Sequence, residues 1–231
     1  MLFFLDTADI DKIIFWKKKG LVDGITTNPT LLSKNGNEPT KVLKEICKIV
    51  KGDVSAQVTF TRTKEMVEQA FFLKSLAKNI VIKLPCTLDG IDAARILAKK
   101  NLKINITLGF DPSQLGIFQK IDIKYFSFII GKVEDHGLSN LDNLRHMKLL
   151  IKKVNKKIKL LCASIRNEKH LIHAIINDAD VLTVPPSTWE KIYSNKFSLQ
   201  GEKDFLNAFN LLSPELRKKY QTKKSINKIL I

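Results

Sequence analysis

Lys83 stands inside an apolar run, Ile80-Val81-Ile82-Lys83-Leu84-Pro85, whereas most lysines of the chain fall on polar helix faces. A lysine attacks a carbonyl only as the neutral amine, and at its unperturbed pKa of about 10.4 fewer than roughly one in a thousand is neutral at pH 7. A dry apolar wall disfavours the ammonium and lowers that pKa, so a nucleophilic lysine belongs in such surroundings. The iminium it forms is an electron sink that makes a neighbouring C–C bond breakable. The bland reading is a strand-end lysine whose amine reaches solvent. Proton transfer needs a partner, and Asp6, closing Leu2-Phe3-Phe4-Leu5-Asp6, is the one carboxylate at such a run's end. With Asp9 and Asp11 close behind, it reads equally as a helix N-terminal aspartate. Gln57 and Thr107 could hold a water between Asp6 and Lys83 and relay protons.

These residues share a position: each closes a short apolar run. The runs are Leu2–Asp6, Gly24–Thr27, Val54–Thr59, Ile80–Leu84, Lys103–Leu108, Tyr125–Phe128, Ile158–Ala163 and Val181–Val184. They are too uniformly apolar for a sheet with one wet face and read as parallel strands covered on both sides. Amphipathic helices fit between them. Asp9 caps a helix to about Lys18, Thr40 opens Lys41–Val50, and Thr63 precedes Lys64–Ala77. Leu88 starts another, Asn140 or Leu141 opens one through Val154, and Asn167 caps His170–Ile176. Eight βα repeats without a long break predict an α/β fold: a single (β/α)₈ TIM barrel, with an open doubly wound sheet as the alternative. Residues 1–231 are read as one barrel domain with 200–231 as a C-terminal helical extension, and the basic end Lys223–Lys228 as packing on a neighbour or fraying.

In such a barrel the chemistry sits at the C-terminal ends of the strands. That gathers Asp6, Thr26, Asn28, Gln57, Lys83, Asn105, Thr107, Ser127, Ser164, Arg166 and Thr183. No His, Asp and Glu cluster among them suits a metal, and His170 with His173, three apart on an outer helix, reads as a surface pair. Three scattered cysteines (Cys47, Cys86, Cys162) give neither a disulfide framework nor a zinc site. Cys86 and Cys162 lie near strand ends, where a buried thiol is the ordinary reading and a nucleophile the rarer one.

The net charge of +16 raises the question of nucleic acid. Only five of the 39 basic residues are arginines, they are spread along the chain, and runs such as Lys17–Lys19, Lys152-Lys153 and Lys156-Lys157 fall on helix faces. No RNP-like, zinc-finger or helix-turn-helix pattern is present. We therefore expect no nucleic-acid partner, with steering of anionic substrates as the consequence of the charge. No apolar run approaches the ~18 residues of a membrane span. The start, Met1–Asp6, lacks a basic n-region and reads as a buried strand, so the expected location is cytoplasmic.

Leu5-Asp6-Thr7-Ala8, Gly24-Ile25-Thr26-Thr27-Asn28-Pro29-Thr30 and Val81-Ile82-Lys83-Leu84-Pro85 together resemble the transaldolase family, in its small-subunit branch that includes fructose-6-phosphate aldolases. Ile104–Leu108, Cys162–Arg166 and Ala179–Pro186 extend the resemblance, in order, to residue 186. It implies that Lys83 is the Schiff-base lysine and Asp6 the acid/base for the C4 hydroxyl, with Thr107 and Gln57 holding the catalytic water. Thr26, Asn28 and Ser127 become substrate contacts, and Ser164 and Arg166 meet the phosphate. A second family arginine is Lys132 here, which keeps the charge but loses the planar fork. Gln57 replaces the glutamate of the larger transaldolases. Phe128 and Ile129 replace a proline and an aromatic residue, and Asp111 a serine. The implied reaction moves a dihydroxyacetone unit between sugar phosphates without metal or organic cofactor. Release of free dihydroxyacetone, as in an aldolase, and an inactive barrel kept as a binding protein are the rival readings. The resemblance also implies a homo-oligomer, such as a decamer.

Overall fold

The computed structural model describes residues 1–34, 38–154 and 157–221; the basic end Lys223–Lys228 and Lys156 lie outside them. Eight parallel strands close in sequence order into a barrel: β1 Leu2–Asp6, β2 Gly24–Thr26, β3 Val54–Gln57, β4 Ile80–Pro85, β5 Ile104–Gly109, β6 Tyr125–Ile129, β7 Lys159–Ala163 and β8 Val181–Val184. The outer helices are α1 Ile10–Lys18, α2 Pro29–Ser33, α3 Pro39–Ile49, α4 Thr63–Leu76, α5 Leu88–Ala98, α6 Asn143–Val154, α7 Glu168–Ile176 and α8 Pro186–Tyr193, followed by α9 Lys196–Asn210 and α10 Pro214–Tyr220. By internal contacts Met1–Trp189 forms one unit and a second starts at Glu190. The expected (β/α)₈ barrel with additional C-terminal helices is the observed fold.

Side-chain alternation along each strand divides the barrel's interior into levels. Phe4, Val81, Tyr125, Leu161 and Val181 pack together as the floor. Each such burial contributes about 2 kcal/mol. Gly24 makes room for it: a Cβ there would stand 2.5 Å from the Phe4 ring. One step up each strand the level turns polar, with Asp6, Thr26, Ser55, Lys83, Asn105, Ser127 and Thr183. The register aligns Asp6 with Thr26, Thr26 with Ser55, Gln57 with Lys83 and Lys83 with Asn105.

The helices pack by the faces their sequences mark. Leu43 and Ile46 of α3, Met66, Ala70 and Leu73 of α4, and Ala93, Ala94 and Leu97 of α5 are buried at spacings of three and four. Asp9 caps α1 and Asn167 caps α7 as expected. Other starts differ from the expectation. Proline 39 opens α3 ahead of Thr40, Thr63 is the first residue of α4 and not its cap, and α6 begins two residues beyond Leu141. Between β5 and β6 the connection consists of two 3₁₀ turns, Pro112–Leu115 and Ile117–Lys120, with Leu115 and Phe118 buried.

Candidate active site

The polar level opens upward into a cavity of about 550 Å³ at the C-terminal ends of the strands. Of the ten residues to which the resemblance gives a role, nine line it: Asp6, Thr26, Asn28, Gln57, Lys83, Thr107, Ser127, Lys132 and Ser164. Arg166 does not. Its guanidinium is gripped by Asp135, with Nη1 on Oδ1 at 2.5 Å and Nη2 on Oδ2 at 3.0 Å. Both partners are about half exposed, and the expected phosphate contact is in this structure an ion pair at the rim.

Lys83 is 8% exposed, and its Nζ donates to the Thr27 carbonyl at 3.2 Å. Burial lowers its pKa below that of an ordinary lysine, while the charge of Asp6 works against the shift. Asp6 experiences the mirror image: enclosure raises its pKa, opposed by Lys83 and by a hydrogen bond from Thr26. Thr26 Oγ1 lies 2.7 Å from Asp6 Oδ1 and 2.6 Å from Thr183 Oγ1. Thr26 has one hydroxyl proton and gives it to the carboxylate, so Thr183 donates to Thr26 in turn. This two-hydroxyl relay fixes one carboxylate oxygen. The arrangement holds an amine biased towards neutrality and an oriented carboxylate in one cavity, the pair needed for carbonyl addition with proton transfer.

Asn28 Oδ1 caps α2 by accepting from Leu31 N at 2.9 Å. This five-residue helix was not apparent in the sequence pattern. Ser127 Oγ donates to Asn105 Oδ1 at 2.7 Å, and Asn105 Nδ2 donates to Ser55 Oγ at 3.1 Å. Asn105 and Ser55 are both fully buried, so this chain stiffens the wall beneath Lys83. The alternation of β5 signals Asn105, which shares the inward face of Thr107; nothing local marks Ser55. Of the two replaced positions in β6, Ile129 lines the cavity and Phe128 is buried away from it.

Two cavity residues carry backbone strain. Leu108 and Ser164 have φ of 62° and 60°, a left-handed conformation that disfavours side chains other than Asn or Asp. Such strain costs about 1–3 kcal/mol and concentrates at functional sites. The cysteines are less apt: burial raises the Cys86 thiol to about 11 and that of fully buried Cys162 higher still, so neither is poised as a thiolate. His170 is no surface residue. It is fully buried and bonded to Glu134. Among the described residues there is no group of three or more His, Cys, Asp or Glu that could hold a metal ion, and no helix long and apolar enough to cross a membrane.

Fold and cavity define a (β/α)₈ barrel whose polar, lysine-bearing site lies at the strands' C-terminal mouth. The family model described as Transaldolase/Fructose-6-phosphate aldolase matches residues 3–227. Proteins named "probable transaldolase" from Brucella melitensis and Caulobacter vibrioides are 37% and 36% identical over 206 residues, covering 89% of this chain and 95% of theirs. One from Bartonella tribocorum is 38% identical over 207 residues, covering 90% and 95%. Among solved structures, 3-hexulose-6-phosphate synthase from Salmonella typhimurium shares the fold, with a TM-score of 0.57 at 15% identity over 80% of this chain and 89% of that one. The chain belongs to the transaldolase/fructose-6-phosphate aldolase family.

Proposed function

We propose that this protein is a transaldolase that moves a dihydroxyacetone unit from a ketose phosphate to an aldose phosphate through a Schiff base on Lys83. The observation that carries this reading is the buried Lys83 amine, lowered in pKa, sharing a cavity with the oriented carboxylate of Asp6. Neutral Nζ adds to the C2 ketone of fructose 6-phosphate, and loss of water gives the iminium. Asp6 takes the proton of the C4 hydroxyl. The C3–C4 bond breaks, its electron pair passes into the iminium to give an enamine, and glyceraldehyde 3-phosphate leaves. The enamine carbon attacks the aldehyde of erythrose 4-phosphate, Asp6 returns the proton, and water releases sedoheptulose 7-phosphate from Lys83.

Gln57 and Thr107 line the same cavity and make no hydrogen bond to another described side chain, which suits them to hold the water lost and regained. Lys132 and Ser164 supply the groups that meet the phosphate. Ser127, which lines the cavity and whose hydroxyl is oriented by Asn105 Oδ1, supports transfer over release.

Product formation from fructose 6-phosphate with and without erythrose 4-phosphate tests the proposal. Sustained turnover only with the acceptor, yielding sedoheptulose 7-phosphate, is expected. Steady release of free dihydroxyacetone without it would make the protein an aldolase instead. Borohydride added with the ketose should add mass at Lys83, and an unmodified Lys83 would sink both reactions.

A further inference from the structure

The 3₁₀ turn Gly131–His136 follows β6 and presents Lys132 to the cavity. The same turn is tied to the segment after β7 and to the first turn of α7 by three contacts. Glu134 Oε1 lies 2.7 Å from His170 Nε2, Asp135 holds Arg166, and Gly131 N donates to the Ser164 carbonyl at 3.1 Å. The seam is close-packed, since a Cβ on Gly131 would come within 2.4 Å of Ser164 O and 2.9 Å of His170 Cε1.

The first two ties are not equivalent. Asp135–Arg166 is about half exposed at both ends, and water screens it. His170 is fully buried, in the first turn of α7. Its Nδ1 accepts the Arg166 backbone N–H at 3.3 Å, and its own N–H is fixed by Asn167 Oδ1 at 2.9 Å. With Nδ1 an acceptor, the ring's proton is on Nε2 and is donated to Glu134. A buried ring with one N–H and one matching carboxylate has a single low-energy arrangement, and that arrangement sets where the Lys132 turn sits.

Resting on the function proposed above, we propose that Glu134 and His170 are positioning residues. Through the turn they share, they hold Lys132 at the cavity mouth against the anionic end of the substrate, and they take no part in the chemistry at Lys83. Residues of this kind change the affinity for phosphorylated ketoses and leave imine formation alone.

The variants of choice are at Glu134, which is 38% exposed and can be changed without opening the core. Glu134→Ala should raise KM for fructose 6-phosphate about tenfold while kcat stays within about twofold. Borohydride trapping of dihydroxyacetone on Lys83, a probe without phosphate, should proceed at the wild-type rate. Glu134→Gln keeps an acceptor oxygen for the imidazole and should restore KM to within about threefold of wild type. In a Lys132→Ala background, Glu134→Ala should add less than about a twofold further rise, because both act through one amine. An unchanged KM in Glu134→Ala, an equal loss with dihydroxyacetone, or a full tenfold effect persisting without Lys132 would each overturn the proposal. Wild-type protein that traps neither ketose would remove the functional reading as well; normal trapping with an unmoved KM would remove the positioning role alone.

Discussion

Burial sets the direction of the Lys83 and Asp6 shifts, each charge opposes the other's, and the sign of that coupling is testable. The Asp6 charge favours the ammonium of Lys83 and so works against the burial that frees the amine. Replacing Asp6 with Asn removes the charge and keeps the size. The Lys83 pKa should then fall further, moving the acid limb of borohydride trapping to lower pH than in wild type. The same substitution removes the base that takes the C4 proton, so kcat for transfer should drop about 10²–10⁴-fold. A limb that stays in place, or moves to higher pH, would show that the two groups are not coupled as burial requires. At this scale the sequence was legible where chemistry coincides with a strand end: a lysine amid Ile82 and Leu84, and an aspartate closing Leu2–Leu5. It was not legible for the surroundings of Arg166 or the burial of His170, because the carboxylates they bond here, Asp135 and Glu134, lie 31 and 36 residues away. Local spacing carries no record of such pairings.

The barrel floor depends on one carboxylate. Asp53, just before β3, accepts the Tyr125 hydroxyl at 2.8 Å and pairs with Lys124 and Lys103, joining the starts of β3, β5 and β6. Burial pushes its pKa up, yet the hydrogen bonds from Lys124 and Tyr125 and the two lysine charges outweigh this and hold it below the usual value. A depressed carboxyl contributes stability that is fully present above the unfolded pKa, near 3.9, and lost as pH falls through the folded value. Asp53→Asn should therefore lower unfolding stability by about 2 kcal/mol at neutral pH, the range for charge-assisted hydrogen bonds. In urea titrations the gap from wild type should close as the pH falls below the usual carboxylate range. A gap independent of pH would assign the loss to packing instead. Strands and long helices were readable because burial on two faces, or on one stripe, writes a period into the chain. The fifth crossover was not: Leu115 and Phe118 are three apart, the 3₁₀ repeat, in a segment too short for a period to show. Helix α2 escaped for the same reason, since none of its five residues is buried.

Across the barrel unit the positive charge is unevenly placed. In a (β/α)₈ barrel the helix that leads into the next strand runs from the mouth back to the floor, and last turns of such helices carry Lys17 and Lys18, Lys48, Lys74, and Lys152 and Lys153. First turns, near the mouth, carry Asp11, Glu65, Asp89 and Glu168. Charges of these signs complement the helix dipoles. Lys17 does so by direct contact, its Nζ donating to the Ile49 carbonyl that ends α3, whereas Lys74 Nζ donates beyond α4, to the carbonyls of Lys78 and Ile80. Part of the positive charge of the barrel unit thus reads as helix-end chemistry on the side away from the cavity, and at the mouth Arg166 pairs with Asp135. Strands of three to six residues put roughly 10–20 Å between their N-terminal ends and the cavity, about one to two Debye lengths of about 8 Å at physiological salt. Steering of anionic substrates, expected from net charge alone, should accordingly be weak. Between about 0.1 and 0.3 M NaCl, kcat/KM for the phosphorylated donor should change by less than about threefold. A fall of about tenfold or more over that range would mean that the lysines of the floor act on the substrate's approach after all. Replacing Lys48 and Lys74 with glutamine separates the two accounts. Helix-end lysines should then show up in the midpoint of thermal unfolding, with kcat/KM unmoved.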